Sequence, residues 1–194
     1  MNEFWIYFKL GLTHVLDWNA YDHVLFLIVL VASYTFLEWK RVFWLVTTFT
    51  LGHTLALILA TFNIVKVNSA YVEFLIPVTI FITALYNLIR AGKTPKDGGM
   101  GVLIATTLFF GVIHGLGFSS FFMGSVGSGT DKFVWLLEFA LGIEAAQIII
   151  TLIVLIIGFI CQTIFRFSRR DWMMFISAVV IGMVIPMLIE NYPW

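Results

Sequence analysis

The sequence predicts an all-α membrane protein: six transmembrane helices behind an amphipathic N-terminal helix, with both termini extracytoplasmic. Three observations predict it. Apolar residues make up 61% of the 194 and charged ones only 11%, with a mean hydropathy of +1.01, and no water-facing surface can be built from such a composition. The apolar residues gather into six stretches of at least the length a bilayer demands, about 20 residues. The basic residues alternate between connections, as positive charge does in multi-pass proteins. Zero formal net charge argues against a nucleic-acid partner. The single cysteine, Cys161, excludes a disulfide framework and a cysteine-rich zinc site.

The elements follow in order. Residues 4–18, FWIYFKLGLTHVLDW, form an amphipathic segment and predict an interfacial or half-inserted helix. Spans are expected over about 22–38, 42–62, 71–90, 100–123, 133–165 and 172–190. The fifth exceeds the bilayer's need, so it is expected to tilt or to reach water near Arg166. Trp5, Trp18, Trp135, Trp172 and Trp194 fall near span ends, as an aromatic belt does. The longest connections are GKTPKDGG near 92–99 and the glycine-rich GSVGSGTD at 124–131, a candidate lid. No internal repeat is evident, so residues 1–194 read as one polytopic domain.

Lys40, Arg41, Arg90, Lys93, Lys96, Arg166, Arg169 and Arg170 lie in alternate connections, whereas Lys9, Lys66 and Lys132 lie on the other side. The positive-inside rule makes the first set cytoplasmic. The expected location is a membrane that the chain crosses several times.

An ionisable side chain at mid-bilayer costs roughly 2.5–3.5 kcal/mol on insertion scales, so each one needs a reason. On this orientation His14, Asp17, Asp22 and His23 lie at the outer start of the first span, and Glu73, Glu138 and Glu190 at outer ends. His53, His114 and Glu144 lie within spans. Polar residues also recur at helical spacing: Thr47, Thr50 and Thr54 around His53; Thr79, Thr83 and Asn87; Thr107 and His114; Glu144, Gln147 and Thr151. Residues three, four or seven apart share a helix face, and lipid offers such faces no partner. Gly111 and Gly115 flank His114 in a small-xxx-small pattern that permits close helix approach, and Gly117 follows.

Imidazole nitrogen with carboxylate oxygen, and no thiolate, suits Ni, Co, Zn or Cu. His14, Asp22, His23, His53 and His114 are therefore the candidate ligands, with Asp17, Glu73, Asn87, Glu138, Glu144 and Gln147 as supporting or relay groups. Asp17 follows His14 by three residues, as an orienting partner would. The bland alternatives stand beside this: Asp22 as a helix cap with His23 reaching the interface, and His53 bonded to a threonine or carbonyl of a neighbouring helix.

Four stretches in order carry a family resemblance: YDHVLFL at 21–27, FTLGHTLAL at 49–57, HGLGF at 114–118 and FALGIEAAQ at 139–147. VEFLIPVTIFITALYN at 72–87 adds a fifth. With them the chain resembles the HupE/UreJ family of small bacterial membrane proteins over most of its length. The resemblance implies a place in the bacterial inner membrane and handling of nickel or a related transition metal, with the histidine and aspartate of the first span as ligands. The matching positions are His14, Asp22, His23, His53, His114 and Glu144. Three departures stand out. His14 lies two residues further from Asp22 than the family's His-x-x-x-Gly-x-Asp-His has it, and without the glycine. Ala140 replaces an asparagine, and Tyr86 a carboxylate.

Transport of the ion is the first reading. A membrane-embedded zinc hydrolase, with Glu144 or Asp22 as base, and a metal-binding accessory subunit compete with it. Lipid and a metal ion are the expected partners, with a second copy of the chain as a further candidate.

Overall fold

The computed structural model describes residues 3–17, 21–92, 100–125 and 131–194. Within them lie seven α-helices and no strand: α1 (Glu3–Val15), α2 (Asp22–Val31), α3 (Trp39–Thr61), α4 (Ser69–Arg90), α5 (Met100–Ser125), α6 (Lys132–Thr163) and α7 (Arg169–Glu190). Five helical stretches are long and apolar enough to cross a membrane: Phe36–Thr61, Ser69–Arg90, Gly101–Ser125, Lys132–Thr163 and Arg169–Glu190. The protein is accordingly a multi-pass membrane protein.

Local signals place the helix ends. The Asn68 side chain accepts the Ala70 amide at 3.0 Å and opens α4. The Ser168 hydroxyl accepts the Asp171 amide at 3.1 Å and opens α7; both are N-caps. Asn63 and Arg166 close α3 and α6 with left-handed φ of 56° each. A wrapped bond follows each of them, Ile64 N–H to the Leu59 carbonyl at 2.9 Å and Phe167 N–H to the Cys161 carbonyl at 3.1 Å.

The first span is where structure and expectation differ. Instead of one helix over 22–38, the chain forms the ten-residue α2, then a turn, then a 3-10 segment at Phe36–Glu38 that leads into α3. At 1.5 Å per residue α2 is only about 15 Å long. Its residues Leu25, Phe26, Leu27, Val29, Leu30 and Val31 are all buried. A helix apolar on every side is buried in protein or surrounded by lipid, and the sequence pattern does not separate the two. The break after Val31 is fixed from outside: Arg169 of α7 donates to the Ser33 carbonyl and, at 3.1 Å, to Glu38. Glu38 in turn accepts from the Thr35 amide at 3.1 Å.

The amphipathic N-terminal segment is a helix packed on α6. The Tyr7 ring stacks on Trp135 at 5.1 Å. Gly11 meets the Phe139 carbonyl, and Gly142 meets the Phe8 carbonyl. Tyr7 with Trp135 and Gly11 with Phe139 advance together along the two helices, so α1 and the first half of α6 run in the same direction. A second glycine seam joins α3 and α5, also in the same direction: Gly52 against the Leu108 carbonyl, Gly111 against that of Phe49, and Gly115 against that of His53. Gly117 instead faces Ile76 of α4, where an added Cβ would stand 2.7 Å from the side chain. A third pair, α4 with α7, is antiparallel and ends on Tyr71 against Trp194 at 5.5 Å. The core lies where α2 threads between these pairs, with Phe26 stacked on Phe49 at 4.7 Å.

Candidate metal centre

Each glycine seam brings a histidine inward. His14 occupies the last turn of α1, His23 the first turn of α2, and His53 and His114 the facing sides of the α3–α5 seam. The ring centroids of His14 and His23 are 4.7 Å apart, those of His23 and His53 5.5 Å, and those of His14 and His53 5.8 Å. One ring nitrogen from each of these three residues lies within 4.8 Å of the other two, a separation that a single metal ion can bridge. The His114 ring stands 5.2 Å from His23, at the edge of the group.

Hydrogen bonds fix two tautomers. His23 Nδ1 faces the Asp22 carboxylate at 3.2 Å, and His114 Nδ1 faces the Phe110 carbonyl at 2.8 Å. Both partners only accept, so in the neutral ring the proton sits on Nδ1 and the lone pair on Nε2. The Nε2 atoms of all four histidines are buried without a hydrogen-bond partner, and so is Nδ1 of His53. Leaving a buried polar atom unbonded costs about 1–3 kcal/mol. A borderline divalent cation would take up these lone pairs, so the donor set fits nickel, cobalt or zinc.

Aromatic rings close the site. Phe118 lies against His14 at 3.5 Å between centroids and stacks on Phe139 at 5.3 Å. Phe49 meets His114 edge-on at 5.0 Å. Sequence reasoning passed over these phenylalanines because aromatic residues are abundant in this chain, 17% of it. The signal was their spacing: Phe49 lies four residues before His53, and Phe118 four after His114, each on its histidine's face. Gly11 was missed for lack of a second small residue four positions away, whereas Gly142 has Ala146 at that spacing and the pair went unread.

The remaining candidates fall elsewhere. The Glu144 carboxylate accepts from Thr47 at 2.6 Å and from Thr50, one turn of α3 from His53, and stands outside the imidazole group. Gln147 lies 3.0 Å from the Thr50 hydroxyl, and its Nε2 has no partner. With the amide turned, Nε2 donates to Thr50 and the hydroxyl proton goes to Glu144. Asn87 donates to the Val29 carbonyl at 2.6 Å, capping the end of α2. Glu138 is half-buried and has one unpartnered carboxylate oxygen. Asp17, Glu73 and Glu190 are exposed. Trp18, Lys93, Lys96, Asp97 and most of the glycine-rich stretch (126–130) lie outside the described residues.

The family described as HupE / UreJ protein matches residues 1–190, nearly the whole chain. The chain belongs to the HupE/UreJ family. Members are associated with nickel and cobalt, in transport or in an accessory role. No curated protein matches this HupE/UreJ chain, and no solved structure does.

Proposed function

We propose that this HupE/UreJ protein carries a divalent transition metal, nickel or cobalt before zinc, across the bacterial inner membrane. His14, His23 and His53 hold the ion. The observation that carries the reading is the meeting of these three imidazoles, delivered by three helices, with ring nitrogens within 4.8 Å of one another and their Nε2 atoms buried without partners.

The chain crosses six times with both termini outside. The first crossing is broken: α1 descends beside α6 to His14, and α2 resumes at Asp22. Thirteen and ten residues give about 20 and 15 Å, together close to the 30 Å of a bilayer core. Half-helix ends meeting inside a membrane are a recurrent way to build ion sites. His53 is eight residues short of the outer end of α3, or about 12 Å below it. Exposed Glu73 and Glu190 at the outer ends of α4 and α7 draw cations toward the site. Asp22 holds the His23 ring with Nε2 forward, the usual service of a carboxylate behind a metal-binding histidine. His114, with its own free Nε2, is the next donor, so the ion moves by exchanging one imidazole for another.

Less supports a hydrolase. Both carboxylates available as a base are engaged, Asp22 by His23 and Glu144 by Thr47 and Thr50. The deciding experiment is elemental analysis of protein purified in mild detergent without chelator, followed by ion flux into proteoliposomes. Exchangeable nickel or cobalt with flux that His23→Ala abolishes supports transport. Near-stoichiometric zinc that does not exchange, with no flux, overturns it.

A further inference from the structure

We propose that a crevice between α4 and α5 binds an anionic phospholipid of the cytoplasmic leaflet, its phosphate on Arg90 and an acyl chain laid over Phe26 and Phe110. Of the function proposed above, this inference uses only the orientation of the chain in the membrane.

The crevice has a volume of about 540 Å³ and is lined by Arg90 and Tyr86 of α4, Val102 and Phe110 of α5, and Phe26 of α2, among others. Val102 is 70% exposed and Tyr86 52%, so the walls open sideways, toward lipid. Phe26, fully buried, forms the floor. From Val102 to Phe110 the crevice descends eight residues of α5, about 12 Å. One leaflet contributes half of a hydrocarbon core about 30 Å thick, so the depth matches the upper part of a single acyl chain.

Charge selects the headgroup. Arg90 is the last residue of α4, and its guanidinium lies over the Tyr86 ring at 5.6 Å. Among the described residues no carboxylate forms an ion pair with it. Arg170 packs beside Gly92, its Cδ 3.1 Å from where a Cβ would stand, and adds a second positive charge near the rim. Basic pockets between helices at the cytoplasmic face are suited to anionic headgroups. Thr107 also lines the space, and its hydroxyl oxygen is buried without a partner. An ester carbonyl, just below the phosphate in a phospholipid, is an acceptor for that hydroxyl. A hydrated cation fits less well, because the lining holds no carboxylate among the described residues and its mouth carries a guanidinium.

Native mass spectrometry and thermal melting of the full chain in uncharged detergent, with phosphatidylglycerol or phosphatidylcholine added, test the assignment. One phosphatidylglycerol should be retained and should raise Tm above the phosphatidylcholine value. Arg90→Gln should reduce the preference by about fivefold, the worth of one basic side chain at a membrane surface. Val102→Trp, at an exposed position that needs no repacking, should block retention in protein whose helix content is unchanged. Equal retention of the two lipids, or a preference that survives Arg90→Gln, overturns the proposal. So does rapid modification of Leu103→Cys, in a Cys161→Ser background, by a charged water-soluble thiosulfonate, because the crevice would then be an aqueous vestibule. Reaction with a lipid-soluble maleimide alone supports it. None of these readouts involves the metal, so they stand or fall apart from the transport reading.

Discussion

Replacing Asp22 with asparagine separates a residue that orients a ligand from one that is a ligand. Asp22 Oδ1 stands 3.2 Å from Nδ1 of His23, whose side chain is 2% exposed. Asparagine keeps a carbonyl oxygen able to accept that N–H, so the ring stays in place and its Nε2 stays forward. What is lost is the negative charge that makes the imidazole a stronger donor. Outer partners of this kind are worth about 10- to 100-fold in metal affinity, which is roughly 1.4–2.7 kcal/mol. Because the hydrogen bond survives, the loss should fall at the lower end, near tenfold. Calorimetric titration of nickel or cobalt into detergent-solubilised protein reads the Kd, with His23→Ala measured beside it. His23→Ala should abolish binding, whereas Asp22→Asn should weaken it with the stoichiometry intact. A Kd unchanged by Asp22→Asn refutes the orienting role. A loss as complete as that of His23→Ala refutes it in the other direction and makes the carboxylate a ligand.

Gly111→Leu should destabilise the protein by at least the 1–3 kcal/mol of an overpacked interface, because a Cβ there already meets the Phe49 carbonyl; a lowered Tm reads it, and an unchanged Tm sinks the seam. Glu144→Gln should leave metal affinity within about threefold while Glu144→Leu lowers Tm, since only the second strands the Thr47 hydroxyl at about 1–3 kcal/mol of desolvation; a large affinity loss in Glu144→Gln would make Glu144 a ligand. His114→Ala should slow flux far more than it weakens binding, because its ring lies at the edge of the three-histidine group; an equal loss of both would place it within the ion's first set of donors.

Much of the fold was legible because lipid imposes a simple rule. A span must be long and apolar, and five of the expected spans, 42–62, 71–90, 100–123, 133–165 and 172–190, overlie α3, α4, α5, α6 and α7. Hydropathy failed at 22–38 because it counts apolar residues without regard to what surrounds them. The end of α2 at Val31 depends on Arg169, 136 positions away from the Ser33 carbonyl that it holds, and no local pattern reports such a partner. The histidines were legible as a group by their expense, but not as neighbours. On one continuous helix, the nine-position step from His14 to His23 would set them about 13.5 Å apart. The break between α1 and α2 is what allows 4.7 Å between their rings. It also accommodates the longer interval from His14 to Asp22 by which this chain departs from its family's pattern. Glu144 was legible as a buried carboxyl needing partners, and Thr47 and Thr50 as a polar stripe. That they serve each other follows only from the antiparallel packing of α3 on α6.

A purely structural role for the histidines, as pins between helices, conflicts with their bonding. A pin must bond to what it holds, yet among the described residues the bonds run to an adjacent residue, His23 to Asp22, and to the same helix, His114 to Phe110. Neither joins one helix to another. That task falls to the glycine seams, where backbones of α1 and α6, and of α3 and α5, touch directly. The His14 and His53 rings contribute contact area to the core, as any flat ring would, but leave buried nitrogens unbonded. A leucine or phenylalanine in either place would supply that contact without the desolvation cost of about 1–3 kcal/mol for each stranded atom. Helix packing therefore gives no reason for imidazole at these positions, whereas an ion that enters the group and accepts those lone pairs does.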